Sequence, residues 1–535
     1  MFHQLTTPVA DSLALSFLTA SIPIATVLIL LGILRRPAWQ ASAAGLIVAF
    51  IMATAIWNLP VRLGLASIAA GATFAAWPVM WIVVNALFLY NISVASGHFA
   101  AFRNWMIAYL PDDRRVVLIV VGFSFGCLLE GIAGFGAPIA ITSALLIMLG
   151  FGAAEAVTFS LIFNTAPVAF GALGAPVITL SAVTQLSDVA LGAMIGRQLP
   201  FIAFILPFYV MTVYSGVRGL RGVWPVLAVS GGSFAIMQFI SSNLLGYALT
   251  DVLSSLTSLG LTLVFVKIWQ PIPDPNFKLT VGRAVRSELD ADCLPTWQGW
   301  LPWAILSLVV IFWVHFEVNL YGQMQIEWPA LHEAIFITTY GRPYSAIWTF
   351  QPLATGTAIL VATIIFMLIC RLAPRMVVGA LVSTLRQARF PLLTTLLIVG
   401  LAYLMNYSGI TYTLGVGVAS VGLVFPLISP FLGWLAVFLS GSDTSGNALF
   451  GNLQVVAAHK LELNPVLMAA TNASGGVMGK MISPQNISTG TSTTELRGRE
   501  GDVLSQTFFH SVFLTFVLGL MALVQQYVTP WIIPF

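Results

Sequence analysis

Apolar residues recur along this chain in runs of about twenty, the length that crosses a bilayer core as an α-helix. The runs predict spans near 14–34, 38–59, 66–95, 199–217, 223–246, 250–269, 299–316, 352–371, 390–407 and 503–527. Two further segments, 154–186 and 464–494, are long enough to cross but carry Gly and Pro residues near which they must unwind. Before each lies a stretch, 115–151 and 427–462, of two short apolar arms around a Gly-rich tip. These read as re-entrant hairpins, because non-helical backbone at membrane depth survives only where protein buries it or it lines a wet cavity. Residues 408–426 read as interfacial; if they cross, the count of spans changes.

The two interrupted segments share a pattern. Residues 164–176 read NTAPVAFGALGAP and residues 472–484 read NASGGVMGKMISP, both of the form Asn-x6-Gly-x4-Pro. The matching positions are Asn164, Gly171 and Pro176, then Asn472, Gly479 and Pro484. Each copy follows a glycine-broken segment with an ionisable residue, LLEGIAGFGAP (128–138) and LSGSDTSGNA (439–448). Paired, interrupted hydrophobic segments in the two halves of a membrane chain point to a transporter's binding site. The division expected is a first half, 1–217, a connecting region with two helices and a polar linker, 218–298, and a second half, 299–535.

Composition excludes a soluble globule: hydrophobic residues are 58% and charged residues 8% of the chain, and the mean hydropathy is +0.94. A soluble domain carries about 25% charged residues. The net charge of +3 is spread over loops, so it speaks to orientation and not to nucleic-acid binding. Arg35, Arg36, Arg103, Arg114, Arg115, Arg218, Arg221, Lys278, Arg283, Arg286, Arg371, Arg375, Arg386 and Arg389 mark one side as cytoplasmic. The opposite loop, 317–350, holds Glu317, Glu327 and Glu333 against Arg342. Twelve crossings and two hairpins fit this pattern, with both termini outside, one hairpin opening to each side, and the repeat inverted. The first run is too long, and lacks a basic flank, for a cleaved signal peptide. Cys127, Cys293 and Cys370 have neither metal-ligand nor disulfide-framework spacing.

An ionisable group inside a membrane is a functional candidate by default. Glu130 and Asp443 sit at the hairpin tips, Lys480 lies inside the second broken helix well before the charged exit at Glu495 and Arg497, and His510 falls within the last span. Glu130, Asp443 and His510 are the candidate proton carriers. Lys480 is the candidate for a substrate carboxylate, with Asn472, Ser474, Gln485, Asn486, Asn164, Thr165, Ser442 and Asn447 as neutral partners. One cation amid neutral donors suits a small monocarboxylate, whereas a dicarboxylate would call for two cationic centres. Blander roles compete: a structural Glu130–Lys480 pair, Asp443 as a helix cap, His510 as a packed histidine. Gly131, Gly134 and Gly136 lack the parallel-sheet context of a nucleotide site. Ser440, Asp443 and His459 name the members of a hydrolytic triad, but the spacing supplies no oxyanion hole.

At these same residues the chain resembles a known family. GIAGFGAPIAI (131–141), SGSDTSGNALFGNLQ (440–454) and ASGGVMGKMISPQNIS (473–488) resemble the signature segments of bacterial L-lactate permeases, and the likeness extends through WPVMWIVVNALFLYN (77–91) to essentially the whole chain. The resemblance implies an all-α polytopic fold in which each inverted repeat holds a hairpin and a broken helix. It also implies proton-coupled uptake of L-lactate, with D-lactate and glycolate as related substrates, at the bacterial inner membrane. A sodium-coupled carboxylate transporter is the alternative, with SDTSGN (442–447) supplying oxygen ligands. The family pattern would put a second serine at Gly446, so a substrate contact there would mean altered selectivity. The partners implied are the bilayer, a monocarboxylate and a proton, with a homodimer left open and no cofactor expected.

Overall fold

Leu18, Ile51, Leu65, Phe201, Ile236, Leu308, Leu368 and Phe509 stand exposed along regular helices, an arrangement that suits lipid and not water. The computed structural model describes residues 1–34, 36–132, 137–279, 294–491, 494–496 and 499–534. Arg35, Gly134, Gly136, Arg283, Arg286, Cys293 and Arg497, named above, lie outside the described residues. Local signals start the helices. Ser12, Ser187 and Asn464 cap the first turns of Leu13–Leu28, Asp188–Arg221 and Pro465–Lys480. Proline occupies the opening turn of Leu301–His315, Pro374–Ser408 and Phe425–Ser440, where its missing N–H costs nothing.

Among the described residues eleven helices are long and apolar enough to cross a membrane, or twelve if the bent pair Ala153–Phe163 and Val168–Thr184 is one span. Long-range contacts decide which of them cross. The loop 316–354 marks one face: it folds into small strands, pairs with the N-terminal strand Phe2–His3, and accepts a hydrogen bond from Gln185 at Ser345 (3.1 Å). The linker after Ile268 marks the other. There Arg115 donates to Ile272 O (2.9 Å) and Gly219 O (3.2 Å), Arg114 pairs with Glu155 (3.5 Å), and the backbone of Asp113 pairs with that of Lys278 in an isolated antiparallel β-bridge.

Arg114–Ile132 therefore starts at the linker face, and the chain is back there by Phe151, whose ring lies under Arg114 (4.7 Å). It is an arm of hairpin 1, with Ala137–Met148 as the other arm. Hairpin 2, Phe425–Ser440 and Asp443–Lys460, has its feet at the loop face, where His459 meets the ring of Tyr340 (5.1 Å). Residues 410–440 also pass as a span on length and hydropathy, but the chain breaks at Gly422 (φ 73°). Tyr412 contacts Tyr340 (5.5 Å), while Leu423 O accepts from Tyr527 (2.8 Å). Both ends of 410–424 thus lie on the loop face and the segment does not cross, as the sequence suggested. On these contacts nine of the eleven cross, Leu13–Leu31, Ala38–Ala55, Val61–Ala95, Asp188–Arg221, Trp224–Leu245, Tyr247–Ile268, Trp297–His315, Pro374–Ser408 and Glu500–Tyr527, together with the bent pair, the first broken helix. The shorter apolar helix Thr355–Ile369 and the second broken helix complete the alternation of faces.

The element order recurs: two spans, a 35-residue helical stretch (Val61–Ala95, kinked at Trp77, then Pro374–Ser408), a short surface helix, a hairpin, a broken helix and a closing span. The first broken helix runs from Glu155 at the linker face to Gln185 at the loop face. The second starts at Asn464, bound to Gln526 near the C-terminus (3.2 Å), and reaches Gly490 beside Val157. The repeat is inverted. Helix Ala38–Ala55 packs on Pro374–Ser408, and Thr355–Ile369 packs on Trp81–Ala95, so each half braces the other.

Both segments are broken near their Gly and Pro residues, as the sequence suggested, but the two breaks differ. The first spans residues 164–174, with Ala172, Leu173 and Gly174 in left-handed backbone (φ 45°, 56° and 84°), a conformation that costs non-glycine residues about 1–2 kcal/mol each. The second is confined to residues 481–483, between Pro465–Lys480 and Pro484–Thr491. Gly479 is helical there. With Gly475, one turn earlier, it faces backbone of Phe425–Ser440, and a Cβ at either position would strike Trp434 O or Pro430 O. These glycines let two backbones touch, as small residues do between membrane helices.

Candidate functional site

Two ionisable groups reach the middle of the protein from opposite faces. Glu130 lies sixteen residues past Arg114, roughly 24 Å along the hairpin arm, and Lys480 lies a similar distance past the start of its helix. They are 2% and 4% exposed, and Lys480 Nζ donates to Glu130 Oε1. Asn164, at the start of the first break, donates from Nδ2 to Glu130 Oε2 (3.0 Å). Both carboxylate oxygens of Glu130 are thus occupied, one by a charge and one by an amide, the satisfaction a buried ion needs.

Asp443 begins the second arm of hairpin 2 and is buried. Its Oδ2 accepts from Asn447 (3.3 Å), and its Oδ1 has no partner among the described residues. Gly476 faces that oxygen, leaving no room for a side chain there. Capping in this turn belongs to Ser442, whose Oγ accepts from Ser445 N (3.4 Å). A polar ladder continues from Asn447: it donates to Pro176 O (3.2 Å), accepts from Asn472 (3.0 Å), and Asn472 in turn accepts from Gln454 (3.2 Å). Asn486 donates to Gly441 O (3.1 Å), pinning the hairpin tip to the second broken helix.

A cavity of about 40 Å³ lies between these groups, lined by Glu130, Gly171, Ala172, Pro176, Ser442, Asp443, Thr444, Lys480 and Gln485 among others. That is room for about three waters, so admitting a six-heavy-atom acid requires the tips to part. A second cavity, about 360 Å³, lies between the 35-residue helical stretches, Gly171–Thr184 and the loop 316–354. It reaches residues Ile178 and Ser181 on the helix whose Pro176 lines the small cavity, so it forms a vestibule on the loop face.

The structure gathers Glu130, Lys480, Asn164, Asp443, Asn447, Ser442, Gln485 and Asn486, with Asn472 one hydrogen bond behind Asn447 and outside the cavity lining. Thr165 spends its hydroxyl on Ile162 O (2.7 Å), and the buried Ser474 hydroxyl has no partner among the described residues. His510 stands apart on the last span, bonded to Tyr209. A residue the sequence reading passed over, Asp251, lies beside Gly131, in the first turn of Thr250–Ile268. Gly446 faces Val437 of the neighbouring arm, where a Cβ would come within 2.6 Å, so a serine there would meet the hairpin and not the cavity. His459 sits sixteen residues from Asp443 at the far end of one helix, which rules out a triad of the two.

The L-lactate permease family model matches residues 16–529. The chain is 39% identical over 544 residues to the glycolate permease GlcA of Escherichia coli K12, covering 96% of each. It is 39% identical over 551 residues to the L-lactate permease of Salmonella typhi, covering 98% of each. Against the L-lactate permease of Bacillus subtilis 168 the identity is 37% over 561 residues, covering 99% of each. Among solved structures, Neisseria gonorrhoeae MtrF aligns with a TM-score of 0.50 and 14% identity, covering 94% of this chain and 98% of that one, a likeness of fold.

Proposed function

The chain belongs to the L-lactate permease family, and on that premise we propose that it carries L-lactate and related 2-hydroxy monocarboxylates, D-lactate and glycolate among them, inward together with a proton. The observation that carries this reading is the Glu130–Lys480 pair at the meeting point of the two repeats. Among the residues lining the small cavity Lys480 is the one cation. An arriving carboxylate is a second anion for that ammonium, and burying it unpaired would be costly. A proton on Glu130 removes the competitor. Lys480 then pairs with the substrate, the buried net charge is unchanged, and neither the proton nor the anion is stably held without the other. Gln485 and Ser442, which line the same cavity, would hydrogen-bond the remaining oxygens, including the 2-hydroxyl, and Asn164 would join them once its bond to Glu130 Oε2 is released.

On this reading residues 1–217 and 299–535 are the two halves, 218–298 joins them, and the loop face with both termini is the outer face of a bacterial inner membrane. Hairpins and broken helices move against the cross-braced outer spans, opening the cavity to the vestibule or to the linker face. The test is uptake of labelled L-lactate, D-lactate, glycolate and succinate into proteoliposomes under an imposed pH gradient. Monocarboxylates should accumulate, and a protonophore should abolish the accumulation. Accumulation driven by a sodium gradient at fixed pH, or succinate taken up as well as lactate, would overturn the proposal.

A further inference from the structure

We propose that Asp251 is the proton-holding partner of Glu130, a neutral carboxylic acid that receives the coupling proton from the loop-face vestibule and passes it on. The proposal rests on the proton-coupled reading above. Asp251 lies in Thr250–Ile268, a helix outside both repeats, and is 1% exposed. Neither of its carboxyl oxygens has a hydrogen-bond partner among the described residues, so it is not a helix cap despite its first-turn position. Its Cβ packs on hairpin 1 so closely that a Cβ at Gly131 would fall within 2.7 Å of it, one residue from Glu130. A bare carboxylate in that position would be an unpaired buried charge. A neutral acid is far less costly there, and it is a proton donor.

Ionisable groups around it are few. The hairpin arm Gly126–Ile132 brings Cys127 and Glu130, and the second broken helix brings Lys480. Gly171–Thr184, Leu118–Phe125, Trp224–Ile240 and Ser241–Leu245, also packed on this helix, carry none. One turn before Asp251 stands Tyr247, whose hydroxyl donates to Asp188 Oδ2 (2.7 Å), and both residues line the vestibule. Asp188 and Tyr247 line the vestibule, Asp251 follows Tyr247 by one turn, and Glu130 precedes the Gly131 that packs on Asp251. Because the carboxyl oxygens of Asp251 bond to none of these groups, a relay in this order would run through bridging water. In the transfer the O–H bond of Asp251 breaks and an O–H bond forms on Glu130, which releases Lys480. A hydronium ion entering from the vestibule then reprotonates Asp251 and leaves as water.

The experiment compares wild type, Asp251→Asn and Asp251→Glu in proteoliposomes, reading lactate counterflow at equal pH and accumulation under a pH gradient. Wild-type accumulation tests the proton-coupled reading by itself. With that established, Asp251→Asn should keep counterflow and lose accumulation, and Asp251→Glu should keep both with a displaced pH profile. Wild-type accumulation in Asp251→Asn overturns the proposal, as does equal loss of counterflow and accumulation in a folded variant. If Asp251→Asn does not fold, Asp251→Glu decides, and an unaltered pH profile overturns the proposal.

Discussion

Glu130 and Lys480 are 350 residues apart in sequence, enter from opposite faces, and meet in an ion pair closed on its remaining oxygen by Asn164. Each repeat supplies one charge, so the pair senses the position of hairpin 1 relative to the second broken helix as well as the protonation of Glu130. Separating the repeats without a proton or a substrate would strand two buried charges.

The first prediction follows from that coupling. Lys480→Ala should abolish lactate binding, measured by isothermal titration or ligand-induced thermal shift. It should also lower stability by about 3–5 kcal/mol, the cost of leaving one member of a buried ion pair without its partner. Glu130→Gln should keep binding, since Lys480 is then free, and lose pH-driven accumulation while retaining exchange. A purely structural pair forecasts otherwise: the double variant Lys480→Gln with Glu130→Gln would bind lactate as wild type does. That result would remove Lys480 from the binding site.

His510 should be dispensable for coupling. Among the described residues its hydrogen bond is to Tyr209 on Asp188–Arg221, and none joins it to Glu130, Asp443 or Lys480. His510→Ala should accumulate lactate under a pH gradient within about threefold of wild type, with a modest stability loss of roughly 1 kcal/mol from the missing bond. Uncoupled but vigorous exchange in this variant would return His510 to the proton path.

Much of this arrangement was legible in the sequence, and the illegible parts have physical causes. Hydrophobic runs located the spans because bilayer thickness dictates their length, and arginine asymmetry supported the inversion. Lys480 and Glu130 stood out because a charge is rare at that depth. The packing role of Gly479 was not legible, because the sequence pattern cannot tell a glycine that unwinds a helix from one that lets two helices touch. The long left-handed break at Ala172–Gly174 and the short one at 481–483 share a pattern but not a backbone. Asp251 was hidden by its place at the start of an apolar run, where an acid ordinarily interacts with a helix N-terminus.

The glycine reading has its own test. Gly479→Ala should destabilise the protein by about 1–3 kcal/mol, the usual cost of overpacking, because the added methyl meets Trp434 backbone and not a movable side chain. Gly260→Ala is the control. It sits in Thr250–Ile268 with nothing within 4 Å of a new Cβ and should be neutral or gain up to about 1 kcal/mol. Thermal unfolding in detergent, followed by intrinsic fluorescence, separates the two; equal melting temperatures would mean the helices are not packed this closely.

The last prediction concerns motion. Asn406, on the 35-residue helix of the second half, donates to Val183 O (3.2 Å) at the end of the first broken helix and accepts from Asn452 (3.2 Å) of hairpin 2. Its own carbonyl accepts from Gln4 (2.8 Å) at the loop face. It therefore ties both elements proposed to move to one proposed to stay. If hairpins slide against the outer spans during transport, the Asn406–Asn452 contact must break in every cycle. With the chain's own cysteines replaced by serine, cysteines at 406 and 452 joined by a short bifunctional reagent should stop uptake, leave lactate binding in the outward-open form, and regain uptake once a reducible linker is cleaved. Uptake that persists with the cross-link complete would show that hairpin 2 and this helix travel together, and the moving boundary would have to be sought elsewhere.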